Sequence, residues 1–186
     1  MIKLDGNAAL VLVDFQIGFD DWEYWGGRRN NLHAEKRAGA ILQAWRAAAL
    51  PIFHIQHCST NSESKLHESN TGHAFKAEVL PIAHEKIIQK KVNSAFIGTE
   101  LESELRSARI KTVLIMGLTT DHCVSTTSRM AANLGFETVV IQDACATFDR
   151  IGFDGTTYAA ELIHDTTIAS LNREFATVIN TADLKL

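Results

Sequence analysis

The 186-residue chain carries 18 Lys and Arg against 22 Asp and Glu, a formal net charge of −4, with 46% hydrophobic and 22% charged residues. That balance suits one globular domain over residues 1–186 with a substantial core, and its scattered basic residues give no reason to expect a nucleic-acid or membrane partner. Three cysteines, Cys58, Cys123 and Cys145, lack any framework spacing and fit a reducing, cytoplasmic setting.

The first apolar run, AALVLV at 8–13, is too short for a signal-peptide core or a bilayer span. Its length suits a strand buried on both faces. Asp14 follows it directly. The segment GFDDWEYWGGRRNN (18–31) is expected to be a loop, in which Trp22, Tyr24 and Trp25 either cover a cleft or meet another subunit. Ala34, Ala38, Ile41, Leu42, Trp45, Ala48 and Ala49 then recur at helical spacing. IFHIQ (52–56) is the second strand, with His54 as a core histidine and His57 at its end. The polar stretch from Cys58 to Pro81 is expected to be a loop with a helical turn around AFKAEVL. KIIQ (86–89) is the third strand, followed by Lys90 and Lys91.

Thr99 and Glu102 have capping-box spacing and place a helix start near residue 100. TVLIMG (112–117) is the fourth strand and leads into a polar run ending at Cys123. Val124, Thr127, Met130, Ala131 and Leu134 share one helical face, and Gly135 stands where a left-handed residue ends a helix. TVVIQ (138–142) is the fifth strand, followed by Asp143, which is expected to hold loop backbone. Ala159, Leu162, Ile163, Thr166 and Ala169 suggest a last helix face, and ATVIN (176–180) a sixth strand.

This alternation predicts a three-layer α/β/α fold around a mainly parallel, doubly wound six-stranded sheet. Sites in such sheets form at the carboxyl ends of the strands, which would bring Asp14, His57, Lys90 and Cys123 to one edge. A thiol in the first turn of a helix is expected to have a lowered pKa, and a nearby lysine helps. A carboxylate can take the thiol proton and later give it to a leaving amine. Backbone N–H groups around Thr119 and Cys123 can hold an oxyanion. Gln16, Trp22, His57, Phe96 and Phe148 are the candidate pocket residues; Gln16 equally suits a loop hydrogen bond, and Phe96 and Phe148 equally suit core contacts.

The chain resembles the isochorismatase-like cysteine hydrolases, relatives of nicotinamidases and N-carbamoylsarcosine amidohydrolase. The likeness lies in ALVLVDFQ (9–16), KKVNSAFIGTEL (90–101), GLTTDHCVSTT (117–127) and LGFETVVIQDACAT (134–147). It implies Asp14 as general acid/base, Cys123 as nucleophile, and Lys90, four residues before Ser94, as the catalytic lysine in place of Lys91. It also implies a non-proline cis peptide at Leu118–Thr119 that presents the Thr119 N–H beside that of Cys123. A small-molecule amide substrate, no cofactor and a homodimer or homotetramer are implied as well. Nicotinamidases carry an Asp-x-His metal motif after the second strand; here HIQHCS (54–59) puts His57 in place of that Asp, so no metal is expected. A cysteine at 123 favours C–N hydrolysis over the vinyl-ether cleavage of isochorismatases proper. That ether chemistry, or a binding or thiol-sensing role on the same fold, is the alternative.

Overall fold

All six apolar runs become strands of one sheet in the computed structural model, which describes residues 2–3 and 6–185. They are β1 (Ala8–Val13), β2 (Ile52–His57), β3 (Lys86–Lys90), β4 (Thr112–Leu118), β5 (Glu137–Ala146) and β6 (Thr177–Ile179). Their spatial order is β3-β2-β1-β4-β5-β6, with every neighbouring pair parallel. Every residue of β1 is buried, as the unbroken apolar run requires. Edge strand β3 instead alternates, exposing Ile87 and burying Ile88 and Lys90.

Four helices flank the sheet and complete the three-layer α/β/α arrangement: α1 (Ala34–Ala47), α2 (Leu101–Ser107), α3 (Ser125–Asn133) and α4 (Ala160–Leu171). Helix α1 packs on β1, β4 and β5, while α3 lies on β5 and against α4. Ala34, Ala38, Ile41, Leu42 and Trp45 form the buried stripe of α1. Ala48 and Ala49 lie beyond its end and are exposed, with Ala49 at φ 52. Helix α3 ends as the sequence suggests: Gly135 N–H donates to Ala132 O and Phe136 N–H to Ala131 O, with Gly135 at φ 85. A Cβ on Gly135 would meet nothing within 4 Å, so only its left-handed backbone resists substitution. Gly135→Ala is therefore expected to cost about 1–2 kcal/mol, read as a lower urea midpoint at unchanged slope.

Several expectations change. The 18–31 segment is not purely loop: a 3₁₀ turn covers Ile17–Asp20 and a helical turn Trp22–Trp25, capped by Asp21, whose carboxylate accepts from Tyr24 N–H. Helix α2 begins on time, yet no capping box forms. Glu100 is its N-cap, the Thr99 hydroxyl donates to Ala95 O, and Glu102 pairs with Arg106. Strand β5 runs past Gln142 to Ala146, because an irregularity opposite Ile115–Gly117 absorbs the polar residues. Helix α4 turns Ala160, His164 and Leu171 inward and leaves Leu162 half exposed. Its alignment follows His164, whose Nδ1 pairs with Thr120 Oγ1 at 2.9 Å and whose Nε2 pairs with Gln142 at 3.1 Å. Two features had no sequence expectation: a hairpin of Arg150–Ile151 with Thr157–Tyr158, and parallel pairing of Ile2–Lys3 with Leu184–Lys185. Among the described residues no helix is long and apolar enough to cross a membrane.

Candidate active site

Three strand ends supply the centre of the site. Asp14 follows β1 in a left-handed conformation, φ 53, which Asp tolerates better than most side chains. Its N–H is held by Ile55 O at 3.0 Å. Lys90 is the last residue of β3 and is 1% exposed. Cys123 lies in a π-helical turn, Thr120–Val124, between β4 and α3, and is 7% exposed. The Leu118–Thr119 peptide at the head of that turn is cis.

The Lys90 ammonium joins these parts. Nζ lies 2.7 Å from Asp14 Oδ2, 3.2 Å from Cys123 Sγ and 2.9 Å from His57 Nδ1. Burial pulls the Lys90 pKa down, but Asp14 and Cys123 outweigh it and hold the lysine pKa above its usual value. Asp14 Oδ1 is buried with no hydrogen-bond partner among the described residues, leaving one free acceptor in the cluster. Asn93 Oδ1, at 3.9 Å from Sγ, borders the thiol on its exposed side.

The thiol departs from expectation. Its pKa is raised, first by burial and then by the Asp14 carboxylate, with Lys90 pulling the other way. The start of a helix is thus outweighed, and burial favours the protonated thiol. Cys145, wholly buried in β5, is likewise raised, to about 12, by burial first. Cys58 faces His73, with Sγ 3.2 Å from Nε2.

The remaining candidates divide. His57 joins the cluster. Gln16 is fully buried and spends its amide on backbone: Nε2 donates to His57 O and His73 O, and Oε1 accepts from His57 N–H. Trp22 lies instead on an outer groove with Gly27, Arg28, Leu32 and Glu161, which none of Asp14, Lys90 and Cys123 lines. Phe96 stacks on Phe136 at 6.0 Å, just ahead of β5, so it belongs to core contacts. Phe148 is fully buried in a stack with Phe19 and Trp25. His54 is a core histidine paired with Glu85, and Asp143 accepts from Thr181 as a loop anchor.

Sequence reasoning missed Arg150. Its guanidinium grips Asp121 through Nε and Nη2, donates to Trp25 O at 2.9 Å, and reaches Thr119 Oγ1 at 3.4 Å. The hairpin thereby fixes the cysteine turn. The pairing spans 29 residues and has no local spacing signal.

Donor atoms of Asp14, His57 and Cys123 lie within 4.8 Å of one another, close enough to suggest a metal centre. The Lys90 ammonium sits 2.7–3.2 Å from all three, however, and already supplies the positive charge they face. The donor set therefore does not fit a metal ion alongside Lys90.

The isochorismatase domain model matches residues 8–183, and the chain belongs to the isochorismatase family of hydrolases. It is 46% identical over 181 residues to the isochorismatase family protein YrdC of Bacillus subtilis, covering 97% of this chain and 96% of that one. A solved isochorismatase-family structure from Chromobacterium violaceum superposes with TM-score 0.93 at 39% identity, over 98% of this chain and 94% of the other. Nicotinamidase 3 of Arabidopsis thaliana is 30% identical over 202 aligned residues, spanning 98% of this chain and 91% of that protein.

Proposed function

We propose that the chain is a cysteine amidohydrolase that cleaves a C–N bond in a small amide or carbamoyl compound through Asp14, Lys90 and Cys123. The observation that carries this reading is the buried Lys90 ammonium, 2.7 Å from the Asp14 carboxylate and 3.2 Å from the Cys123 sulfur. Similarity to a plant nicotinamidase supports an amide as the target bond.

Because the resting thiol holds its proton, attack and proton transfer go together. Sγ bonds to the carbonyl carbon while its proton passes to Asp14, and the backbone N–H groups of Thr119 and Cys123 meet the charge arriving on oxygen. The C–N bond then breaks, and Asp14 returns the proton to the departing amine or ammonia, leaving a thioester on Cys123. Water adds to the thioester as Asp14 takes its proton. Cleavage of the C–S bond releases the acid, and the proton returns to sulfur. Lys90 stays charged throughout and offsets the carboxylate and the sulfur in turn.

The test is ammonia release from small amides, ureas and carbamoyl amino acids, with Cys123→Ala beside the wild type. Release that falls by roughly 10³-fold or more in the variant is the expected result. Undiminished release from Cys123→Ala would overturn the thioester route and leave direct attack on the amide by a water that Asp14 activates. Silence of the wild type on every compound would overturn the amide reading itself.

A further inference from the structure

We propose that His57 is a positioning residue of this site, its Nδ1 accepting the third proton of the Lys90 ammonium and so fixing that charge between Asp14 and Cys123. The inference rests on the amidohydrolase reading for its catalytic consequence, and on geometry alone for the contact.

An ammonium has three protons to place. Those of Lys90 face three acceptors: Asp14 Oδ2 at 2.7 Å, His57 Nδ1 at 2.9 Å and Cys123 Sγ at 3.2 Å. Without the imidazole, one N–H of a wholly buried ammonium would be unpaired, and the group would be free to turn toward the carboxylate and away from sulfur.

The ring is also built into place. His57 and Lys90 are direct neighbours across β2 and β3. The His57 peptide is held on both sides by Gln16, two residues past Asp14: its N–H donates to Oε1 at 2.8 Å and its carbonyl accepts from Nε2 at 3.1 Å. One short segment after β1 therefore sets both the carboxylate and the imidazole. Gln16, a pocket candidate in the sequence, acts here by holding His57.

Nδ1 accepts only when the ring is neutral and carries its proton on Nε2. The titratable groups around it are Lys90, Asp14, Cys123 and, from the Thr71–His73 turn, His73. Burial first, then Lys90, holds His57 below the ordinary histidine value of 6.5, with Asp14 working the other way. A protonated ring would put Nδ1–H against the ammonium. It would also compete for Asp14 Oδ2, 4.0 Å from Nδ1. In either case the ammonium is turned away from the sulfur it faces at 3.2 Å, so turnover requires neutral His57. A residue that merely filled the pocket wall would impose no such condition.

Two measurements test this. Selective ¹⁵N NMR of the histidines should find His57 neutral near pH 7 with its proton on Nε2, titrating below 6.5; Lys90→Met should move that titration upward. A ring protonated on Nδ1, or a titration indifferent to Lys90→Met, would overturn the contact, and this readout needs no substrate. With the best amide in hand, His57→Leu should lose about 100-fold in kcat through misplacement of the ammonium. His57→Asn, which keeps an acceptor near the Nδ1 position and cannot titrate, should recover part of that loss. It should also lack the wild type's fall in rate on the acid side of neutrality. An unchanged acid limb in His57→Asn would overturn the positioning role while leaving the amidohydrolase reading intact. An inactive wild type would sink that reading, and the NMR result would still decide the contact.

Discussion

Asp14→Asn is expected to lower kcat for amide cleavage by about 10³-fold or more and, separately, to destabilise the fold by about 3–5 kcal/mol. The kinetic loss follows from the thiol, whose raised pKa means that nothing attacks until a base takes its proton. Asp14 Oδ1 is the free buried acceptor of the cluster, and an amide there cannot accept a proton from sulfur. The stability loss follows from the partner. Both side chains of the Asp14–Lys90 pair are fully buried, so removing the carboxylate leaves an ammonium with only neutral or protonated neighbours. Lys90→Met should cost a similar amount for the mirror reason. In the double variant no charge is stranded, and its loss should fall short of the summed single losses by about 2–3 kcal/mol. Urea unfolding of all four proteins gives the cycle, and strictly additive losses would rule out the pairing as the source. The pH dependence has a definite sign. The pKa of Lys90 is raised above its ordinary value of 10.5, so its contribution is full below 10.5 and disappears only as pH rises through the folded-state value. Across neutral pH the contribution of Lys90 should therefore stay constant.

Much of this architecture was legible because two-faced burial writes unbroken apolar runs, and those runs located all six strands. The site was legible for a related reason. Asp14 and His57 close an apolar run, Lys90 ends an edge strand, and Cys123 stands in a polar stretch just past β4. Such residues converge where a parallel sheet presents its carboxyl ends. What escaped was carried by polar groups over long separations. Helix α4 looks amphipathic through Leu162 and Ile163, yet His164 decides its orientation by hydrogen bonding to Thr120 and Gln142. Strand β5 hides its length because Gln142 and Asp143 interrupt the apolar pattern in the irregular stretch opposite β4. The grip of Arg150 on Asp121 and Trp25 depends on a hairpin with no apolar alternation to reveal it. The thiol was misjudged because helix position is a local property, whereas desolvation and the neighbouring carboxylate come from the assembled fold.

Gly117→Ala is expected to be the most damaging single-methyl change in the sheet, costing more than about 4 kcal/mol or preventing folding. Gly117 pairs with Val13 in the register of β1 and β4, at the centre of the sheet, and its φ is 146. A Cβ there would stand 2.0 Å from Val13 O, 2.8 Å from its carbonyl carbon and 2.9 Å from its Cα. All three contacts are backbone, so no side chain can rotate out of the way, and relief requires the two strands to part. They would part at the residue before Asp14 and two residues before Thr119, so any folded fraction should also lose activity through displacement of the base from the thiol. Gly135→Ala serves as the comparison. Both positions have positive φ, but Gly135 has open space and Gly117 does not. If backbone conformation alone set the cost, the two variants would melt alike. If the approach of β1 to β4 sets it, Gly135→Ala melts a few degrees below wild type while Gly117→Ala gives little soluble protein or a grossly lowered transition. Equal melting of the pair would mean that β1 and β4 can separate at their carboxyl ends at little cost, and the close approach of Asp14 to Cys123 would then need another source of rigidity.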